Sequence, residues 1–184
     1  MKKLCKYLLV GTFVFGLALP LLAGVRTEDE LLADLASPKA RVVIKALQDL
    51  EKGYPTDVNA QTRIKTLLTD DRPTVKRKAA RVLGAINADV SNTDVKNIAT
   101  LLAGNKDDME DGLKALRGLK AQSAIPQIIP LLQNPDNYVK RDACRTLAVL
   151  GDKSQIPDIK PLLTFPDLAV QKDAADAISI LKEK

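Results

Sequence analysis

The 184-residue chain has no histidine, no tryptophan and only two cysteines, and aromatic residues make up 3% of it. Without an imidazole, Ser-His-Asp and Cys-His catalysis are excluded, because both pass a proton through that ring. Zinc sites with an imidazole ligand are excluded as well, and two cysteines cannot build an all-thiolate site. No stretch carries the alternating oxygen ligands of a calcium loop, so neither a metal nor a cofactor is expected. Hydrophobic residues still make up 46%. A core with so few aromatics must be built from Leu, Ile, Val and Ala, which suits thin, closely packed helix pairs. Strand-like alternation and low-complexity segments are missing too.

Charge of one sign is missing from the N-terminus. No acid lies among residues 1–24, while Lys2, Lys3 and Lys6 precede a run from Tyr7 to Val25 without any charge. A basic start followed by an apolar run reads as a secretory signal, with the lysines staying cytoplasmic. Pro20 would end the apolar helix just before a cut after Ala23. The rival is an uncleaved anchor over residues 7–25, long enough to span a bilayer. Either way the chain is expected to be exported, periplasmic or secreted, with membrane contact only through this segment. Setting aside those three lysines leaves 25 basic residues against 23 acids, so the formal +5 of the whole chain falls to +2. Bulk charge therefore gives no reason to expect a polyanionic partner.

What the chain does have is self-similarity. Ile128, Leu131, Leu132, Val139, Ala143, Leu147 and Leu150 recur 31 residues later as Ile159, Leu162, Leu163, Val170, Ala174, Ile178 and Leu181. A fixed period of this length marks a solenoid of helix pairs. The template is an apolar residue at the start of a first helix, two more at +3 and +4, and a stripe at +11, +15, +19 and +22 on a second helix. Ile64, Leu67, Leu68, Val75, Ala79, Leu83 and Ile86 match it throughout. Ile98, Leu101, Leu102, Met109 and Leu113 match, but Leu116 and Leu119 arrive one residue early. Leu31, Leu35, Val42, Ala46 and Leu50 form a first copy, with Asp34 in place of a core leucine, as suits an N-terminal cap. The spacing thus predicts an all-α chain: a signal or anchor helix over residues 1–24, then about five helix pairs over 25–184, starting near 28, 61, 95, 125 and 156. Prolines at 38, 73, 135 and 166 separate the helices of a pair. Pro130 and Pro161 fall inside first helices and should bend or open them. Asp70, Asp71, Asp107, Asp108 and Asp136 precede second helices and suit N-terminal capping. Cys144, beside Ala143 in the stripe, reads as a buried small thiol.

The motif AIPQIIPLL…VKRDACRTLAVLG, followed by QIPDIKPLL…VQKDAADAISIL, resembles the HEAT-like repeats first associated with phycobilisome lyases. RIKTLLTDDRPTVKRKAARVLGAI is a further copy. The resemblance covers about residues 27–184. It implies a right-handed α-solenoid whose second helices line the concave side. Members of the family are mostly protein-interaction scaffolds, and a few related folds work on bilins or grip DNA.

On the second helices, positions +12, +13 and +17 point away from the apolar stripe. They hold Lys76, Arg77 and Arg81, then Glu110 and Asp111, then Lys140, Arg141 and Arg145, and finally Gln171, Lys172 and Asp176. This mixed ridge has two readings. It is a solvated face whose opposite charges meet between neighbouring repeats, or a surface that grips an anionic segment of a partner through arginine. Tyr138 and Phe165, at inter-helix turns, are candidate anchors for that partner or pack on their own turns; Tyr54 is a weaker candidate of the same kind. The expected function is a non-catalytic scaffold that binds a protein. Alternatives are a solenoid that clasps nucleic-acid phosphates and a bilin-lyase-like enzyme or chaperone, for which Cys144 is the only nucleophile in the repeats.

Overall fold

A computed structural model describes residues 26–184; the signal or anchor segment expected over residues 1–24 lies outside them. Five helix pairs follow one another: α1 (Glu28–Asp34) with α2 (Ala40–Gly53), α3 (Val58–Thr66) with α4 (Pro73–Ala85), α5 (Asn92–Ala99) with α6 (Lys106–Gly118), α7 (Ile125–Ile128) with α8 (Asn137–Leu150), and α9 (Ile156–Ile159) with α10 (Leu168–Lys182). There is no strand among the described residues. None of their helices is long and apolar enough to cross a membrane.

Each pair hides one stripe against its own partner and against the next pair. The second helices stack in sequence, α2 on α4, α4 on α6, α6 on α8 and α8 on α10. The first helices and their extensions form a second layer beside them. One continuous core runs between the layers from Leu31 to Leu181. Its largest fully buried side chains are aliphatic, among them Leu68, Leu83, Ile98, Leu116, Ile128 and Leu147. Each contributes about 1.5–3 kcal/mol by leaving water. Leu163 shows what a neighbour supplies. It is 38% exposed at the end of the stack, whereas Leu132, its counterpart one repeat earlier, is 1% exposed beneath repeat five.

Local chemistry sets the helix ends. Thr27, Ser91 and Asn105 each accept from a backbone N–H three residues on, and Glu30, Asp94 and Asp108 return the bond. Asp136 and Asp167 cap α8 and α10. Asp70 does not cap α4. That helix starts at Pro73 behind Arg72, and Asp70 instead accepts from the Arg72 backbone and guanidinium. Prolines shorten the α-helical part of the first helices. In repeats four and five one α-turn precedes a 3₁₀ stretch, Ile129–Gln133 or Lys160–Thr164, at Pro130 and Pro161. Repeats two and three have no such proline and still end their first helices in 3₁₀ form, at Leu67–Thr69 and Thr100–Ala103. Proline therefore advances a switch that the repeat makes anyway.

Two details of register differ from the sequence pattern. In α2 the buried residue is Val43, with Val42 only half-buried. In repeat three the missing residue belongs to the inter-helix turn. Counted from the residue before each second helix, Gly112, Leu116 and Leu119 align with Ala143, Leu147 and Leu150. The shorter turn draws α6 onto its own first helix. A Cβ built on Gly112 would lie 3.1 Å from both Leu101 Cβ and Leu102 Cδ2.

Candidate interaction face

The stacked second helices present one long face, and its charged positions recur at fixed places. From the residue before each helix, the fifth position holds Arg77, Glu110, Arg141 and Lys172 in repeats two to five. The sixth holds Lys78, Asp111, Asp142 and Asp173, and the ninth Arg81, Lys114, Arg145 and Asp176. Helical spacing puts the fifth and ninth positions of one repeat on the same side, facing the sixth position of the next.

That placement builds the same device twice. Arg77 Nε lies 3.2 Å from Asp111 Oδ2, and Arg81 Nη1 lies 3.4 Å from Asp111 Oδ1. One pair of repeats further on, Arg141 Nε lies 2.6 Å and Arg145 Nη2 3.0 Å from Asp173 Oδ2. Two guanidinium groups thus close on one carboxylate across a repeat boundary. Asp173 is 7% exposed, and the carboxylate beside Arg141 holds that guanidinium above its ordinary range. Arg77 also reaches Asp107 at 3.2 Å and Asp108 at 3.7 Å.

The ridge is therefore largely neutralised from within. Lys172 pairs with Asp176 at 2.6 Å, and Lys114 with Glu110 at 3.6 Å. Lys76 is half-buried. Lys140 does not point outward as its position suggests. It is 6% exposed, and its ammonium sits 4.5 Å from the centre of the Phe165 ring. The repeat-five turn folds over it and supplies a cation–π contact in place of water. Phe165 is half-buried against the core. Tyr54 packs there too, its hydroxyl donating to the Arg26 carbonyl at 3.4 Å. Tyr138 is 62% exposed. Lys106 Nζ stands 4.3 Å from its ring centre and the Arg141 guanidinium 5.9 Å. In the next repeat Leu168 is 78% exposed. The sequence pattern did not single out Lys106 or Asp173, and it marked Asp107 and Asp108 as helix-capping residues rather than as partners of Arg77. An acid at the sixth position, once second helices are aligned from their first residue, is the signal that finds Asp173.

The turn edge is stitched as well. Arg72 Nη1 donates to the carbonyls of Ser37 at 2.9 Å and Pro38 at 3.1 Å. Lys106 pairs with Asp136 at 3.0 Å, which holds the Asp136 carboxyl below its usual range. Asn137 donates to Asp167 at 2.9 Å. Cys144 is fully buried, and desolvation pushes its thiol up to about 12. Such a thiol stays protonated and is no nucleophile in the folded chain. Among the described residues no group of three acidic or cysteine side chains converges to hold a metal ion.

Comparison with known proteins places this geometry. Residues 125–184 match the family of HEAT repeats. The structure of the complex of CpcE and CpcF of phycocyanin lyase from Nostoc sp. PCC7120 is similar over 91% of this chain and 70% of that one, with a TM-score of 0.72 and 23% identity. An engineered protein is similar over 83% of this chain and 78% of its own, with a TM-score of 0.64 and 23% identity. At that identity the likeness is one of fold. No curated protein matches the sequence significantly.

Proposed function

This chain is a HEAT-like repeat solenoid, and from that premise we propose that it is a non-catalytic scaffold, exported by its N-terminal segment, that docks a protein partner on the second-helix, concave side. The observation that carries this reading is Tyr138. Of the three aromatic rings among the described residues, Tyr54 and Phe165 pack on the core and Tyr138 is left 62% exposed, beside Arg141 and Lys106; Leu168 of the next repeat is bare as well. Tyr and Arg are the residues that anchor protein interfaces, and an exposed ring ringed by cations suits a partner with apolar and acidic groups. The test is cross-linked capture from the envelope fraction with the native chain and with a Tyr138→Ala/Leu168→Ser variant of equal helicity. A partner retained by the native chain and lost by the variant supports the placement. Equal capture by both refutes it. N-terminal sequencing of exported protein tests the signal; a chain still beginning at Met1 removes cleavage.

The similarity to a lyase complex favours one second reading, a bilin-lyase-like enzyme or chaperone. The buried Cys144 gives it no nucleophile. The phosphate-clasping alternative loses its main support because Arg77, Arg81, Arg141 and Arg145 are engaged by aspartates.

A further inference from the structure

The two arginine clamps close the junction of repeats two and three and that of repeats four and five. Between repeats three and four the acid is present without its clamp. Asp142 occupies the place of Asp111 and Asp173 and is 9% exposed. The two positions that should hold arginine hold Glu110 and Lys114, which pair with each other. Asp142 keeps one ionic contact, 3.4 Å to Arg145 of its own helix, and that guanidinium is shared with Asp173. In the opposite layer α5 touches the start of repeat four beside a groove of about 220 Å³, lined by Val95, Lys96, Ala99, Ser123 and Gln127, and no ion pair among the described residues joins the two there. What ties these repeats by charge is the turn edge, through Lys106 and Asp136. The first junction differs. There the turn edge is held by Arg72, and Lys78 pairs with Glu51 at 3.2 Å across the second helices.

We propose that the solenoid bends at the junction of repeats three and four, pivoting on the Lys106–Asp136 turn edge, with repeats two and three and repeats four and five moving as clamped blocks. Two packed surfaces that share an apolar contact but lack a directional lock can slide or tilt at small cost. A guanidinium–carboxylate pair adds direction as well as strength. Bending here changes the distance between Tyr138 and the arginines of repeat two, so it adjusts the width of the face. It does not depend on what that face binds.

The test is a distance distribution between spin labels on the full chain carrying Cys5→Ser, with the buried Cys144 left in place. Labels at Thr62→Cys and Ser179→Cys span the junction; labels at Thr62→Cys and Thr100→Cys stay within repeats two and three. The spanning pair should give the broader distribution. Glu110→Arg with Lys114→Arg, which rebuilds the clamp over Asp142, should narrow it to the width of the control. Asp173→Asn, which opens the clamp between repeats four and five, should broaden a third pair, Gln133→Cys with Ser179→Cys. A spanning pair as narrow as the control overturns the proposal. So does a broad one that the rebuilt clamp leaves unchanged, or a third pair indifferent to Asp173→Asn.

Discussion

Adding a single methyl group between α4 and α6 tests the packing described above, because propensity and sterics predict opposite signs. Gly→Ala within a helix is normally stabilising by about 0.5–1 kcal/mol, since alanine has less backbone entropy to lose. Gly84 and Gly118 face one another where the two helices cross. A Cβ on Gly118 would stand 2.3 Å from the Gly84 carbonyl oxygen and 2.8 Å from its carbon. A Cβ on Gly84 would stand 2.6 Å from Ala115 Cα and 2.9 Å from its oxygen. These are backbone atoms of regular helices, so no side-chain rotation relieves them and the helices must separate. Overpacking of this kind costs about 1–3 kcal/mol, and with unyielding neighbours the upper half applies. Subtracting the propensity gain leaves each variant less stable by about 1–2.5 kcal/mol, a fall in Tm of roughly 2–10 °C for a domain of this size. Gly53→Ala is the control: nothing lies within 4 Å of its Cβ, so propensity acts alone and stability should not fall. The Gly84→Ala/Gly118→Ala double variant should cost less than the sum, because the first substitution has already parted the helices. Urea unfolding followed by circular dichroism at 222 nm measures all four. Gly84→Ala or Gly118→Ala as stable as the native chain would refute the reasoning.

Three further outcomes follow from the same geometry. Asp173→Asn should destabilise by about 1–3 kcal/mol, because it strips a buried charged partner from two guanidinium groups, whereas Asp176→Asn, in an exposed pair, should stay within about 0.5 kcal/mol; equal effects in urea unfolding would deny the clamp its role. With Cys5→Ser, Cys144 should resist thiol reagents in the native state, since a thiol near 12 is only ~10⁻⁴ ionised at pH 8 and is buried besides; complete labelling without loss of helicity would contradict its burial. Acid should act late. Asp70 is held below its ordinary 3.8 chiefly by the Arg72 guanidinium, Asp136 by Lys106 and Asp167 by the α10 backbone N–H groups. Groups depressed in the folded state stabilise it fully above the ordinary value and lose that contribution as pH falls through the lowered ones. The unfolding midpoint should therefore hold from neutrality down to about pH 5 and drop below 3.8; a decline already begun near pH 6 would point to other groups.

Residues that repeat with a helical period were legible because the core reads only spacing. Leu68, Leu102 and Leu132 are buried at equivalent places, and Cys144 is buried in the same core. What spacing could not show is how far one helix stands from the next. The early arrival of Leu116 reads equally well as a shortened helix or a shortened turn, and only Asn105, as the cap of α6, decides for the turn. Lys140 lies on an outward-pointing position by periodicity, yet the next repeat's Phe165 covers it. The ridge of charges was visible, and so were both of its readings. Choosing between them required the register of Asp111 and Asp173 against the preceding helix, a relation between repeats rather than within one.

The clamp recurs at every second junction. Arg141 and Arg145 each follow Arg77 and Arg81 by 64 residues. For an engineer, a copy of repeats four and five carries a complete lock with it, whereas doubling repeat two alone would set Arg77 and Arg81 against Lys78, and doubling repeat three alone would set Glu110 against Asp111, at the new seam. Repeat four can be doubled singly, because its Arg141 and Arg145 would meet a copy of Asp142.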